Sequence, residues 1–421
     1  VPEDHAVGID GWVSDFHAAG SLDLSFRALG PDIGRLGRLL GTSRLPASPF
    51  ELSGHLAGDA GALRLEDIEL RLGSTLLALS GVVHTLLPPT GEQIVLEIRG
   101  EDIADYRALL GMPGELGGPF HLRAAVLQPE NGIERLRLSG NVGKITHDIT
   151  VYFDDSRDLT GERADFVVEA PDVRTIGRAL DIAGLPALPF RASGSVLYTG
   201  ERLEIRTATV SLGRDELRMS GTVIPDPRNT RADLDVSVAI AHLGETLSTW
   251  GHEDLAPVPV DARMRLQLDG RLISATDLTA TIGDVDLSGS LSTNLEAPES
   301  STNVQLSLAS ADPMSLFGRS SATDLPSLPF AANIRARSAD DRIRVDALEL
   351  EWGDSRLEAH GVIDRPPDVQ ATQFEVRARV PSLAGLVRGT AYELPDVPFA
   401  LEGSFRGTPD TIPGEDMRID L

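Results

Sequence analysis

The side chains best able to do chemistry at neutral pH are nine histidines: His5, His17, His55, His84, His121, His147, His242, His252 and His360. An imidazole can ligate a metal or carry a proton. No two of them stand at the i, i+4 spacing that sets a zinc-binding pair on one helical face. His242 and His252 flank a helical stretch and read as surface residues. Paired carboxylates occur at Asp154-Asp155 and Asp340-Asp341. Acid–base catalysis needs such a pair within reach of an enclosed substrate, whereas Asp340-Asp341 reads as a hairpin turn and Asp154-Asp155 as a connection between strands. The chain has no cysteine, so it has no disulfide, thiolate nucleophile, thiolate zinc site or iron–sulfur cluster. It also lacks a phosphate-cradling glycine loop and a G-x-S-x-G elbow. The expectation is a protein that is not an enzyme and uses no cofactor and no metal.

The chemistry that remains is the burial of hydrocarbon, and the residues that could do it recur. A Pro followed by an apolar residue appears at Pro49-Phe50, Pro119-Phe120, Pro189-Phe190, Pro259-Val260, Pro329-Phe330 and Pro398-Phe399, in steps of 70, 70, 70, 70 and 69. Gly73, Gly143, Gly213, Gly283 and Gly353 form a second column, and Phe26, Leu96, Phe166, Val236, Leu306 and Val376 a third. Three columns in register identify a repeat protein, whose units contact mainly their neighbours.

The third copy shows what positions these residues. Asp165 to Ala170 alternates as a strand, and Pro171-Asp172 then opens a helix. The capping column holds Asp32, Asp102, Asp172, His242, Asp312 and Ser382. Val173, Ile176, Leu180 and Ile182 predict a helix of about three turns over Val173–Ala183, with Gly184 as its stop. After Pro189-Phe190 come a strand to Tyr198, a turn at Thr199-Gly200, and an alternating strand from Leu203 to Leu212 with a one-residue slip at Thr207. The same slip lies between Leu65 and Ile68 and between Val345 and Leu348. It predicts a β-bulge at one place in several copies. Gly213 turns the chain into a further strand, where Gly81, Gly221 and Gly361 share a column; Val151 and Leu291 stand there in the other two copies. Each repeat is thus about four antiparallel strands and one short helix. The fold class expected is mainly β with short helices: an elongated repeat array of antiparallel strands curled into a groove, one short α-helix per repeat of about 70 residues. The chain reads as one repeat body over 1–421, with units 21–90, 91–160, 161–230, 231–300, 301–370 and a shortened 371–421.

Hydrophobic residues make up 41% of the 421 residues, enough for a core. A net charge of -26 excludes a nucleic-acid face and offers no polybasic patch for an anionic membrane. It suits a long body that must stay in solution. No apolar run reaches the roughly 18 residues of a membrane-spanning helix, and Val1 to His5 does not open as a signal peptide. Glu415 to Leu421 aligns with the strand ending at Leu72, so the chain stops in mid-repeat without a capping unit, and the expectation is a piece of a longer protein.

Outward strand positions such as Arg64, Glu66, Glu69 and Arg71 are solvated, and the inner face needs a partner. A helix of about 10 residues is about 15 Å long and 10 Å wide. Four strands of about six residues present about 20 by 20 Å. One helix covers at most half of that. The inner positions proposed to line a groove are Leu63, Leu65, Leu70, Leu72, Leu96, Phe166, Leu203, Ile205, Val210, Leu212, Val236, Leu306, Ile343, Val345, Leu350 and Trp352. Trp352 replaces Leu72, Leu212 and Ile282 in its column, so it is packing or lining; Trp12 and Trp250 are isolated. The competing reading is a sheet closed on itself and filled by its own side chains.

The pattern Leu-Pro-x-Leu-Pro-Phe, a Gly four residues on (Gly54, Gly194, Gly403), Leu-x-Leu-x-x-x-x-Leu, Gly, then Leu-x-x-Ser-Gly resembles the AsmA-like family of bacterial envelope proteins. Leu203 to Gly221 and Ile343 to Gly361 carry it best, and it runs from about residue 20 to the end. Ala124 and Met264 depart from it at the early Gly. The resemblance implies a bridge-like lipid transfer protein: a periplasmic β-rich groove for phospholipid acyl chains, tethered to the inner membrane by a segment absent here, supporting outer membrane biogenesis, with other envelope proteins at the groove ends. The alternative is a non-catalytic assembly scaffold of the envelope. A charge in an inner column, as in Leu70→Asp or Leu350→Asp, separates the two.

Overall fold

A computed structural model describes residues 6–14, 20–34, 48–59, 61–86, 89–106, 116–130, 133–153, 162–226, 229–248, 256–297, 301–312, 328–339, 342–364, 372–386, 394–407 and 414–420. Asp154-Asp155, Asp340-Asp341, His5, His17, His252 and Trp250 lie outside them. The protein is mainly β. It divides into two units, residues 1–200 with 206–213, and residues 201–205 with 214–421.

The first unit contains β1 (Ala6–Val13), β2 (Leu22–Gly30), β3 (Phe50–Gly58), β4 (Leu63–Leu72), β5 (Thr75–Leu86), β6 (Pro89–Gly100), β7 (Phe120–Glu130), β8 (Ile133–Val142), β9 (Ile145–Phe153), β10 (Glu162–Ala170) and β11 (Phe190–Tyr198). Each is antiparallel to the next. β12 (Leu203–Leu212) is divided between the units. The second unit continues with β13 (Asp215–Ile224), β14 (Arg231–Ile240), β15 (Val260–Asp269), β16 (Leu272–Ile282), β17 (Val285–Asn294), β18 (Asn303–Ser310), β19 (Phe330–Ala339), β20 (Arg342–Trp352), β21 (Ser355–Asp364), β22 (Thr372–Val380), β23 (Phe399–Gly407) and β24 (Gly414–Asp420). These too pair antiparallel in chain order.

The Pro and Gly columns meet. The N–H groups of Gly73, Gly143, Gly213, Gly283 and Gly353 donate to the carbonyls of Pro49, Pro119, Pro189, Pro259 and Pro329 at 3.1, 2.8, 2.8, 2.9 and 2.8 Å. Each of these glycines has φ between 56° and 61° and is the first residue of a two-residue hairpin loop, as between Leu72 and Thr75. The carbonyl just before each Pro is held from the other side. Ile33, Ile103, Val173, Leu243 and Leu383 donate their N–H to Ser48, Gly118, Leu188, Val258 and Val397 at 2.8–3.0 Å. Two adjacent carbonyls thus tie the start of the helical segment and the hairpin to one point. Proline has no N–H to satisfy there.

α1 (Val173–Leu180) is shorter than the sequence suggests; the other described helical segments are α2 (Leu243–Ser248), α3 (Leu383–Leu386) and a 3₁₀ turn at Ile103–Tyr106. The stop of α1 is Asp181, at φ 59°, and not Gly184; Leu180 and Ile182 consequently face solvent. The caps follow the expected column. Asp172 accepts from Arg174 N at 3.0 Å, Asp102 from Ala104 N at 3.0 Å and Gly118 N at 2.7 Å, and Ser382 from Gly385 N at 3.0 Å. Where the column holds His242, the first N–H groups of α2 donate to backbone instead, Leu243 N to the Val258 carbonyl at 2.8 Å and Gly244 N to the Ala256 carbonyl at 3.1 Å.

The expected bulges are present between Leu65 and Ile68 and between Val345 and Leu348. A further one lies between Ala275 and Leu278. Asp67 and Asp277 occupy left-handed positions within them at φ 50° and 51°. Gly221 lies where the neighbouring strand comes closest: a Cβ there would sit 2.1 Å from the Asp233 carbonyl oxygen. Gly140 and Gly289, in the copies whose column holds Val151 and Leu291, are in the same situation against His121 and Gln305. Gly221→Ala is expected to cost at least about 2 kcal/mol by urea denaturation. Gly283→Ala, whose Cβ would meet only the Val258 side chain at 3.2 Å, is expected to cost about 1 kcal/mol. Equal costs would show that the carbonyl contact is not what demands glycine.

Candidate functional site: an uncovered apolar face

Antiparallel pairing turns the alternating apolar residues into rows that cross the strands. In the second unit one row runs Leu217–Val238–Ala262–Ala280–Leu287–Leu308–Ala332–Leu350–Leu357–Ala378–Leu401, one residue from each of eleven consecutive strands. A parallel row runs Leu234–Leu266–Ala275–Leu291–Val304–Ala336–Val345–Gly361–Phe374–Phe405. In the first unit the corresponding row is Ala28–Leu52–Leu70–Leu77–Ile98–Leu122–Gly140–His147–Val168–Ala192.

Among the described elements, each strand packs against its sheet neighbours, and the one helix with a substantial contact is α1 on β10. Away from the Pro–Gly junctions Ala57, Val83, Ala125, Ala275 and Ala359 are buried, but the clusters of larger side chains sit at the strand ends beside those junctions. There Ile103, Leu116, Phe120, Ile145 and Ala170 form one cluster, and Ile33, Phe50 and Leu72 another. Tyr106 meets Phe120 edge-on at 6.0 Å between ring centres, and Trp352 meets Phe330 at 5.9 Å. Beyond these ends the Leu, Val and Phe side chains of the rows stay half-buried or exposed; Leu291 keeps 40% of its surface in water.

Leu70 and Leu350 lie in the rows nearest the junctions, Leu96, Phe166, Val236 and Leu306 one row further out, and Leu63, Leu65, Ile343 and Val345 beyond them. Leu72 and Trp352 sit at the junction end, Leu72 buried against Ile33 and Phe50. Leu203, Ile205, Val210 and Leu212 are half-buried on β12, whose residues divide between the units. The row through Phe26 and Phe166 explains the early glycines. Phe26 faces Gly54, where a Cβ would sit 2.8 Å from its ring, and Phe166 faces Gly194. The smaller Leu96, Val236 and Leu306 face Ala124, Met264 and Ile334. Large pairs with small in these five copies, so the departures at Ala124 and Met264 go with the loss of Phe, whereas in the sixth copy the small Val376 faces Gly403.

The opposite face is polar. In the second unit a hollow of about 860 Å³ extends from β13 to β19, with Glu216, Arg218, Asp261, Arg263 and Asp286 on its wall together with Val238, Ala262, Ala280, Leu287 and Leu308 of the apolar row. In the first unit a hollow of about 480 Å³ includes Arg135, Arg137, Asp148, Tyr152 and Asp165. The guanidinium groups of Arg135 and Arg163 lie 5.9 and 5.1 Å from the Tyr152 ring centre. Arg137 binds Asp148 through two hydrogen bonds of 3.0 and 2.5 Å, which hold the Asp148 carboxyl below the usual range. Cross-strand ion pairs such as Arg123–Glu97 and Arg377–Glu402 tile the same face. Being exposed, they set register more than stability.

His147 stands out because it is the titratable member of an apolar row, directly opposite Gly140 and Val168. Burial pushes its pKa down, and the nearby Asp148 offsets part of that. Nothing in the alternation separates it from a surface histidine, since its row is defined by strand pairing. The described part of His242 departs from the surface reading: its Nδ1 is enclosed and has no hydrogen-bond partner. Among the described residues no group of three or more His, Asp or Glu could hold a metal, and no helix is long and apolar enough to cross a membrane. No family model, curated protein or solved structure matches the chain.

The depressed pKa of His147 has a definite sign. The unfolded chain, with an ordinary value of 6.5, takes up the proton first. The contribution of the neutral imidazole is therefore fully present above pH 6.5 and is lost as the pH falls towards the folded-state pKa. On acidification from pH 6.5 the wild type is expected to lose more stability than His147→Leu in urea titrations. Parallel losses would refute a desolvated His147.

Proposed function

We propose that the apolar rows are a passive path for the acyl chains of phospholipids, with headgroups left in water, in the manner of the AsmA-like envelope proteins that the sequence resembles. The observation that carries this reading is the row of eleven apolar residues from Leu217 to Leu401, whose leucines are half-buried, with no described element in substantial contact with the sheet there. An acyl chain placed along such a row gains about 0.8 kcal/mol for each CH₂ removed from water, without any specific bond. Because the rows run across the strands, a lipid moves from one copy of the repeat to the next over equivalent surfaces, and direction comes from partners at the ends. In this reading the protein is non-catalytic and periplasmic, tethered to the inner membrane by a segment outside this chain.

The test is mass spectrometry of molecules that co-purify after detergent-free expression directed to the periplasm. The expected result is phospholipid in near-stoichiometric amount, lowered by Leu306→Asp in a protein that still folds, because Leu306 lies in an uncovered row. Leu70→Asp is the control for packing. Leu70 touches the buried cluster of Ile33, Phe50 and Leu72, so it is expected to cost several kcal/mol, about 3, in stability. A lipid-free, stably folded wild type, or a Leu306→Asp protein that fails to fold, would move the assignment to a structural scaffold.

A further inference from the structure

Of the residues in the three apolar rows, His147 alone can take up a proton near neutral pH. It stands in β9 directly opposite Gly140 of β8 and Val168 of β10. Around it the same face presents Leu138 and Val142 from β8, Ile145 and Ile149 from β9, and Phe166 from β10. Ile145 belongs to a buried cluster, and Val142 and Val168 pack against that cluster. The charged groups of these elements lie elsewhere. Asp148, the next residue on β9, is on the polar face, held by two hydrogen bonds from Arg137 of β8. Asp165 and Glu169 of β10 are on that polar face too. The register puts Glu134 and Glu162 at the far ends of β8 and β10. α1, which packs on β10, carries Arg174, bonded to its cap Asp172, and Arg178. With His147 neutral, the row crosses β8 to β10 without a charge.

We propose that His147 is a proton-operated gate in the first unit: neutral, it lets an acyl chain lie over β8 to β10, and protonated, it expels the chain from that segment. The gate rests on the acyl-chain reading of the rows. An imidazolium keeps its water, and a hydrocarbon chain laid over it would strip that water away at a high cost. The same cost runs in reverse. A chain lying over His147 desolvates the ring and holds it neutral, as burial already does in part. The coupling is reciprocal, so a proton weakens the chain by the factor by which the chain weakens the proton. The two traced rows of the second unit hold no ionisable residue and carry no such gate.

The test loads the protein from phosphatidylcholine vesicles that contain a phospholipid with a photoreactive acyl chain. The headgroup charge of these lipids does not change across the range used. Cross-linking is done at about pH 7.5 and about pH 5, and the labelled peptides are located by mass spectrometry, with circular dichroism confirming the fold at both. In the wild type the yield on β8 to β10 is expected to fall about fivefold or more on acidification, while the yield on β15 to β18 stays level. In His147→Leu the β8 to β10 yield is expected to be the same at both pH values. His147→Gln, which stays polar but does not titrate, is expected to match it and decides the matter if the leucine variant does not fold. Nuclear magnetic resonance of the His147 ring should show a lower pKa in loaded than in lipid-free protein. A wild-type yield independent of pH, or an equal fall in the wild type and His147→Gln, would overturn the gate and leave the lipid path standing. No cross-link in either unit at either pH would overturn both.

Discussion

The junction between the Pro and Gly columns is the constraint on which the rest depends. At each copy the chain leaves a helical segment, enters a strand and returns through a hairpin, and three backbone segments must meet without orphaned polar groups. The two carbonyls ahead of each Phe or Val solve this by accepting from the helix start and from the hairpin glycine, both bonds being present with nearly constant distances in four copies. Proline at that point presets φ and removes a donor that would otherwise need a partner. Glycine at the hairpin takes the positive φ that a two-residue loop requires. The clusters of large buried side chains then form around these junctions, where Phe50, Phe120 and their neighbours pack.

Because stability is gathered at the strand ends, the middle of the apolar face is free to stay open. An ordinary sheet with one apolar face lays it on a second layer. Here the short helices reach only the nearest rows, and the large side chains further out remain half-exposed. The pairing of Phe with Gly and of smaller residues with Ala, Met or Ile keeps those rows even in height. That evenness is a packing property of the sheet itself, independent of what covers it.

The polar face contributes register. Its carboxylate–guanidinium pairs join neighbouring strands, and their exposure leaves each one screened by solvent. The excess of acidic residues, 64 against 38 lysines and arginines, leaves many carboxylates without a basic partner on these faces, which favours solubility for a protein with open apolar rows.

The period, the strand alternation, the hairpin glycines, the caps and the bulge near Ile68 and Leu348 were all legible in the sequence, because each is a local demand repeated every 70 residues. Glycine at a positive φ and aspartate at a helix start declare themselves through neighbours a few residues away. The tertiary structure decided what depends on strand pairing. It ended α1 at Asp181, which leaves Leu180 and Ile182 exposed. It put His147 in an apolar row. Alternation says which residues share a face of one strand. Which faces line up over eleven strands, and which way the sheet bends, is settled only by the sum of many twists and bulges between partners far apart in the chain.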